Sequence, residues 1–269
     1  MKKLNKIKKL FIFVIIFKRF KFLISKFSKF SLNGVKWLFN SKEHTNFTIE
    51  LKDQNLEIFS ETLSKIIDVE KNMIIDKITY LQNTKVILPA NTKFYERIDL
   101  DIKPKWDYRF IPYFLITENK IDNIYEFGID QGRLGYLLNT YIENELIKKI
   151  NYTGIEYNKR KGVLLRNVQK KNFNLIYEKL ETAIINLDRD TLQNSLIISS
   201  THEKKSEEFL FNYFFDNEIT PKYIISDETS SISPFRKFIE KKNYSYATFS
   251  FIDPNEILST FYIGLAKLN

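Results

Sequence analysis

The chain of 269 residues contains no cysteine and only two histidines, His44 and His202. Without cysteine it can form no disulfide, no thiolate zinc site and no cysteine nucleophile. Two histidines are also too few for a histidine-rich metal site. The apolar run from Leu10 to Phe17 ends at Lys18, well short of the about 20 residues that a membrane-spanning helix needs. Disulfide-stabilised and zinc-finger proteins are therefore excluded.

Acidic residues are missing from the N-terminal segment. Residues 1–40 hold 11 of the 42 Lys and Arg and no Asp or Glu, which leaves 31 basic and 33 acidic residues for the rest of the chain. The body of the protein is therefore close to neutral. The composition of the whole chain, with 43% hydrophobic and 15% aromatic residues, suits a packed core. We expect no nucleic-acid partner, because the positive charge is confined to a cationic arm.

The arm has the pattern of an amphipathic helix. Its apolar positions step by three or four residues: Phe20, Leu23, Ile24, Phe27 and Phe30. Basic residues interleave with them, which favours a helix lying in the headgroup layer of an anionic membrane. A helix packed on the rest of the protein is the alternative. A secretory signal fits less well, since Lys and Phe follow where a small-residue cleavage site should lie. We expect a cytoplasmic protein, peripheral at the inner face of the cell membrane.

Two further regions follow the arm. Residues 41–118 are predicted to be a helical extension, because 47–84 have helix-like apolar spacing, clearest at Leu56 to Ile67 and Val69 to Leu81. From 119 to 269 short apolar runs alternate with longer helical ones, as in βαβ units with a parallel sheet. This third region is predicted to be the functional domain.

The predicted fold is α/β: a doubly wound, mostly parallel, seven-stranded Rossmann-like sheet. The predicted strands are 124–127, 152–156, 174–177, 195–199, 223–226, 245–251 and 260–266. The predicted helices between them are 132–149, 160–170, 204–215 and 234–242. Only a short segment separates the last two strands, so they are expected to be antiparallel neighbours.

The most informative segment runs from Tyr125 to Gly135, where a glycine-containing turn joins a strand to a helix. Glycine lets a ligand approach the main chain, and in open α/β sheets ligands bind at the carboxyl ends of the strands. Glu126 suits a positively charged ligand, and Glu156 at the end of the next strand can accept both hydroxyls of a ribose. Dinucleotide-binding folds use a carboxylate in the same way, so Glu156 alone leaves the ligand class open. An ordinary loop with exposed acids is the other interpretation.

These residues resemble the class I S-adenosylmethionine-dependent methyltransferase family. The family's first motif, an acid followed by glycines at alternate positions, is read here as Glu126-x-Gly128-x-Asp130-x-Gly132, with Asp at the middle glycine. The resemblance covers 121–269 and implies S-adenosylmethionine as cofactor and an antiparallel last strand.

Three further positions follow from the same resemblance. Glu156 matches the ribose-binding acid, and Glu178, after the third strand, resembles the acid near the adenine. Tyr157 either covers the adenine or packs against the protein.

A closer resemblance is to bacterial methyltransferases that tailor polysaccharides, sugars and natural products, which often carry a helical N-terminal extension. Several have an Asp-x-x-His element after the fourth strand and an acidic pair after the fifth. Here these become Ser199 to His202 and the pair Asp227 and Glu228. In metal-dependent relatives such acids hold a divalent ion, so Asp227 and Glu228 are expected either to bind Mg²⁺ or to orient the acceptor; a helix-capping acid before Pro234 is the alternative. Ser199 in place of Asp leaves metal dependence open.

His202 is the predicted general base for a hydroxyl acceptor, because a neutral imidazole titrates near working pH; an ordinary polar loop residue is the alternative. The first hypothesis is O-methylation of a sugar or other small hydroxylated acceptor, including a lipid-linked glycan at the membrane. The second is a nucleotide-dependent oxidoreductase or sugar-modifying enzyme, although the glycine spacing is not G-x-G-x-x-G. The third is an inactive methyltransferase-like binding module at the membrane.

Overall fold

The computed structural model describes residues 48–51, 56–83, 110–130, 132–166, 168, 171–201, 203–227, 233–252 and 260–268. All of them belong to one unit, Thr45–Asn269. The cationic arm lies outside the described residues, so its membrane contact stays a prediction. Within the described ranges no helix combines the length and apolar character needed to cross a membrane.

A single sheet of eight strands forms the centre of the described structure. The strands are β1 Thr48–Leu51, β2 Asn123–Phe127, β3 Asn151–Ile155, β4 Phe173–Ile176, β5 Ser195–Ser199, β6 Tyr223–Asp227, β7 Ser245–Ile252 and β8 Thr260–Lys267. Their order in the sheet is β1-β7-β8-β6-β5-β2-β3-β4. Every pairing is parallel except those of β8, which runs antiparallel to both β6 and β7.

The predicted fold class is confirmed. Without β1, the sheet has the seven predicted strands in the order β4-β3-β2-β5-β6-β8-β7, with an antiparallel last strand, as in the Rossmann-like methyltransferase fold. The strand β1 is a correction, since the sequence pattern predicted helix over 47–84. Thr48–Leu51 instead pairs with β7 at the sheet edge. β-branched Thr48 and Ile49 suit an extended conformation, and this tertiary pairing prevails over the weak helical spacing.

Eight helices are described. They are α1 Leu56–Ile67, α2 Lys71–Asn83, α3 Phe110–Thr117, α4 Arg133–Glu143, α5 Leu180–Ile185, α6 Arg189–Gln193, α7 Lys204–Asp216 and α8 Pro234–Lys242. The helices predicted over 56–67 and 234–242 are confirmed with the same bounds, and those over 69–81, 132–149 and 204–215 are confirmed with shifted ends. The helix predicted over 160–170 is wrong, because 159–166 forms turns. The short helices α5 and α6 were not predicted.

The helices cover both faces of the sheet. Side chains of α1 to α4 form one apolar cluster with alternate strand residues such as Leu196 and Ile198. Side chains of α5 to α8 form a second cluster with the intervening strand residues, including Ile197 and Ile224. Because successive side chains of a strand point to opposite faces, these parallel strands are apolar on both sides, and polar residues concentrate at their ends.

The strand order reverses beside β2. The chain runs outward from β2 through β3 to β4, then returns to β5 on the other side of β2. The connections after β2 and β5 therefore diverge at their carboxyl ends, which is the place where open α/β sheets bind ligands. The turn after β2 contains the glycines singled out in the sequence.

Candidate functional site

The turn after β2 depends on two glycines in left-handed backbone conformations. Gly128 has φ 84° and Gly132 has φ 80°, a region that is costly for residues with a Cβ. A Cβ on Gly128 would lie 2.5 Å from the carbonyl oxygen of Ser200. The main chains that follow β2 and β5 therefore touch at the strand-order reversal, where a side chain larger than that of glycine would not fit between them.

Asp130 occupies the tip of the same turn and replaces the family's middle glycine. Its φ of 45° is also left-handed, which Asp tolerates better than most residues with a side chain. Its main-chain oxygen accepts a 2.6 Å hydrogen bond from the amide of Gly162, and its side chain is 55% exposed. The departure from glycine therefore preserves the turn and adds a carboxylate to its tip.

Glu156 lies immediately after β3 with its side chain only 2% exposed. Its Oε1 accepts a 3.0 Å hydrogen bond from the amide of Asn158. Its Oε2 lies 3.7 Å from the Nζ of Lys161, and the same Nζ lies 3.8 Å from Oδ1 of Asp130. The sequence predicted that the glycine turn and Glu156 are neighbours. They are close enough for one ammonium group to lie within 4 Å of a carboxylate from each.

Residues 157–166 form turns beside these two acids. A helix was predicted over 160–170. The guanidinium of Arg166 donates hydrogen bonds to the carbonyl of Lys159 and, at 3.1 Å, to that of Lys161. The hydroxyl of Tyr177 donates to the Lys161 carbonyl at 3.3 Å. Gly162, with φ 70°, lets this segment pass close to Ile129 in the glycine turn. These contacts fix the position from which Lys161 extends.

Glu126, at the first acid of the motif, is buried rather than open to solvent, with 5% of its surface exposed. The hydroxyl of Tyr152 donates a hydrogen bond to its Oε2. The pKa of Glu126 is raised to about 8, mainly by burial and to a smaller extent by the negative charges of Asp130 and Asp227, against the lowering effect of the Tyr152 hydrogen bond. The carboxyl is therefore largely protonated at neutral pH and can ionise when a cation approaches.

We expect Glu126 to make the protein less stable as pH rises. An ordinary glutamate releases its proton near pH 4.5, whereas folded Glu126 retains it to about pH 8. Between these values the folded protein binds one more proton than the unfolded chain. The free energy of unfolding should therefore fall by up to about 1.4 kcal/mol per pH unit and level off above the higher value.

Urea unfolding of the wild type and of Glu126→Gln from pH 5 to 9 measures this effect. The Gln side chain can still accept the Tyr152 hydrogen bond but does not titrate, so its stability profile should be flatter over this window. Profiles of equal slope in the two proteins would contradict a buried, proton-retaining carboxyl at this position.

Other predicted residues lie at the same edge of the sheet or outside the described ranges. Asp227 ends β6 and is half-buried. The hydroxyl of Ser199 is buried at the end of β5, and no hydrogen bond to it is recorded among the described residues. His202 and Glu228 are not described, so the general base and the Mg²⁺ pair stay predictions. Within the described ranges no three acidic or histidine side chains cluster as metal ligands.

Tyr157 and Glu178 are both on the surface. Tyr157 follows Glu156 directly and is 60% exposed, so its ring is not part of the core and is accessible to a ligand. Glu178 is also exposed, two residues after β4. These positions are compatible with contacts to an adenine, and their roles stay predictions.

Sequence reasoning missed Lys161, Tyr152 and Arg166. Lys161 and Arg166 were assigned to a helix that does not form, and their partners depend on the turns that replace it. Tyr152 was read as an apolar strand residue. Its contact with Glu126 becomes visible only when β2 and β3 are paired, because Glu126 is in register with Gly154, two residues from Tyr152.

The arrangement favours a ligand with hydroxyls and a positive charge over one with phosphates. Buried Glu156 offers lone pairs for hydroxyl donors, while the turn that would face a pyrophosphate in a dinucleotide site carries the carboxylate of Asp130. Lys161 offsets only part of this negative charge. These residues therefore fit a sulfonium nucleoside.

No protein-family model matches the chain, and no curated protein matches it in sequence. Solved structures of methyltransferases are similar to it. One is the O-methyltransferase TomG from Streptomyces achromogenes, involved in tomaymycin synthesis and solved with S-adenosylmethionine: 10% identity, 89% of this chain, 96% of that chain, TM-score 0.46. Another is the methyltransferase domain of bacterial-CtHen1-C: 13% identity, 60% of this chain, 96% of that chain, TM-score 0.41. A third is the plantazolicin methyltransferase BamL, solved with a triazolic desmethylPZN analog and S-adenosylhomocysteine: 12% identity, 80% of this chain, 97% of that chain, TM-score 0.40.

Proposed function

We propose that the chain is an S-adenosylmethionine-dependent methyltransferase. The observation that carries the proposal is the buried carboxylate of Glu156 beside the glycine turn, at the sheet's strand-order reversal. One ammonium lies within 4 Å of both Glu156 and Asp130, so the two acids border the same space. This donor set is suited to a ribose and a cationic centre, and the carboxylate at the tip of the turn opposes a phosphate.

Each described residue has a separate task in this proposal. Glu156 would hold the ribose hydroxyls, and Gly128 keeps the turn after β2 packed against the main chain that follows β5. Glu126 can ionise when a cation enters, because its proton is held only by burial and neighbouring charges. The bound cofactor supplies an already activated methyl group. Alignment of the acceptor with that group then provides much of the acceleration.

The acceptor side of the proposal is O-methylation of a sugar or other small hydroxylated molecule, including a lipid-linked glycan. It is supported by the predicted base His202 after β5 and by the cationic arm, which would hold the enzyme at an anionic membrane surface. A base near the acceptor hydroxyl removes its proton as the new bond forms. Asp227 at the end of β6 is positioned to orient an acceptor from the same edge of the sheet.

Calorimetry on the full chain tests the cofactor assignment. S-adenosylmethionine and its demethylated product, S-adenosylhomocysteine, should both bind, with dissociation constants in the micromolar range typical of cofactor and substrate sites. NAD should not bind, because its pyrophosphate would meet Asp130. Binding of NAD alone would favour the oxidoreductase hypothesis. Failure of all three ligands to bind would favour a methyltransferase-like module without activity.

A further inference from the structure

Lys161 lies between the two carboxylates that border the proposed cofactor site. Its Nζ is 3.8 Å from Asp130 and 3.7 Å from Glu156, and its side chain is 36% exposed. Both distances exceed those of a direct hydrogen bond, so the ammonium acts mainly through its charge. Any ligand that contacts Glu156 and the glycine turn therefore binds beside a positive charge.

The backbone of Lys161 is held beside the glycine turn. The carbonyl of Lys161 accepts hydrogen bonds from Arg166 and Tyr177, and the next residue, Gly162, donates to the main chain of Asp130. These bonds tie the base of the lysine side chain to the glycine turn. From this position the side chain brings its ammonium within 4 Å of both acids.

The proposed cofactor and its product differ in charge at the sulfur. S-adenosylmethionine carries a sulfonium, whereas S-adenosylhomocysteine has a neutral thioether in the same skeleton. Carboxylates beside the site favour the cation, and a nearby ammonium cancels part of that preference. Glu126 is largely protonated at neutral pH while no cation is bound, so Asp130, Glu156 and Lys161 set the charge that an entering ligand meets.

We infer that Lys161 is a specificity-determining residue that weakens the site's preference for the sulfonium cofactor over its neutral thioether product. The inference rests on the proposed function and names a residue that sets the ligand preference of the same site. With the lysine charge present, the affinities for the two ligands lie closer together. Loss of the lysine charge would sharpen the preference for the methylated form.

Calorimetry with both ligands on the full chain tests the inference through the ratio of the two dissociation constants. In Lys161→Met the ratio of the product's constant to the cofactor's constant should rise about three- to tenfold at low salt, as expected for partly screened charges several ångströms apart. The rise should shrink at about 0.5 M salt. Lys161→Arg keeps the charge and should retain the wild-type ratio. Lys159→Met removes an exposed lysine from the same turns and is the matched control.

The outcomes separate the inference from the proposed function. If the wild type binds neither ligand, the proposed function fails and the inference fails with it. If the wild type binds both and Lys161→Met weakens both equally, the lysine holds a group common to the two ligands and the inference alone is overturned. A ratio that changes by the same factor in Lys159→Met would also overturn it, since the effect would then reflect general charge.

Discussion

Replacing Glu156 by Gln should weaken the binding of S-adenosylmethionine by about 30- to 150-fold. Hydrogen bonds to a charged acceptor contribute about 1.5–3 kcal/mol each, and about 2–3 kcal/mol lost corresponds to that range. The Gln side chain keeps the shape of the glutamate and one acceptor oxygen, so it can still receive the Asn158 amide. The loss therefore reports the carboxylate charge and its second acceptor oxygen. Calorimetric titration of wild type and variant measures it.

The control for this variant is Glu70→Gln, an exposed acid in the turn between α1 and α2. It removes the same charge from the protein surface and should leave the dissociation constant within about twofold of wild type, because exposed charges at a distance are screened by salt. Thermal unfolding of both variants checks that they are folded. A Glu156→Gln protein that is folded and binds with wild-type affinity would remove the observation on which the cofactor assignment depends.

The strands of this protein are the part of the fold most predictable from its sequence. Runs such as Ser195 to Ser199 are short, apolar and bounded by polar residues, so a buried parallel strand is their natural conformation. The antiparallel position of β8 was predictable because too few residues separate it from β7 for a crossover helix. These features are local. The positions of the glycine turn and of Glu156 could be predicted because each lies at the carboxyl end of such a strand.

The failures occurred where distant parts of the chain determine the conformation. The apolar residues of 160–170 have helical spacing, but Gly162 takes a left-handed conformation and Arg166 binds main-chain carbonyls that an α-helix would use internally. Thr48–Leu51 was read as helix because its partner β7 lies almost 200 residues away. Lys161 approaches both acids from the turns that replace the helix predicted over 160–170. Its charge beside Asp130 and Glu156 could therefore not be predicted.

Gly128→Ala should be among the most damaging single substitutions in the described structure, costing about 3 kcal/mol or more in the free energy of unfolding. The left-handed conformation alone costs a residue with a Cβ about 1–2 kcal/mol. In addition, the new Cβ would lie 2.5 Å from the Ser200 carbonyl oxygen and 2.8 Å from the Cα of Thr201. Both atoms belong to the main chain directly after β5, so the clash can be relieved only if β2 and β5 separate.

Gly132→Ala is the matched control for this prediction, since Gly132 has nearly the same φ, 80° against 84°. Its added Cβ would lie 2.7 Å from Cγ of Leu165, a side chain that can adjust where a backbone cannot. We therefore expect a smaller cost, about 1–2 kcal/mol from the backbone conformation with a modest addition from repacking. Urea unfolding of the two variants measures the difference, and equal costs would show that the main chains after β2 and β5 do not meet at Gly128. If they do meet there, Gly128→Ala should also abolish cofactor binding. Separation of β2 from β5 would distort the glycine turn that borders the proposed site.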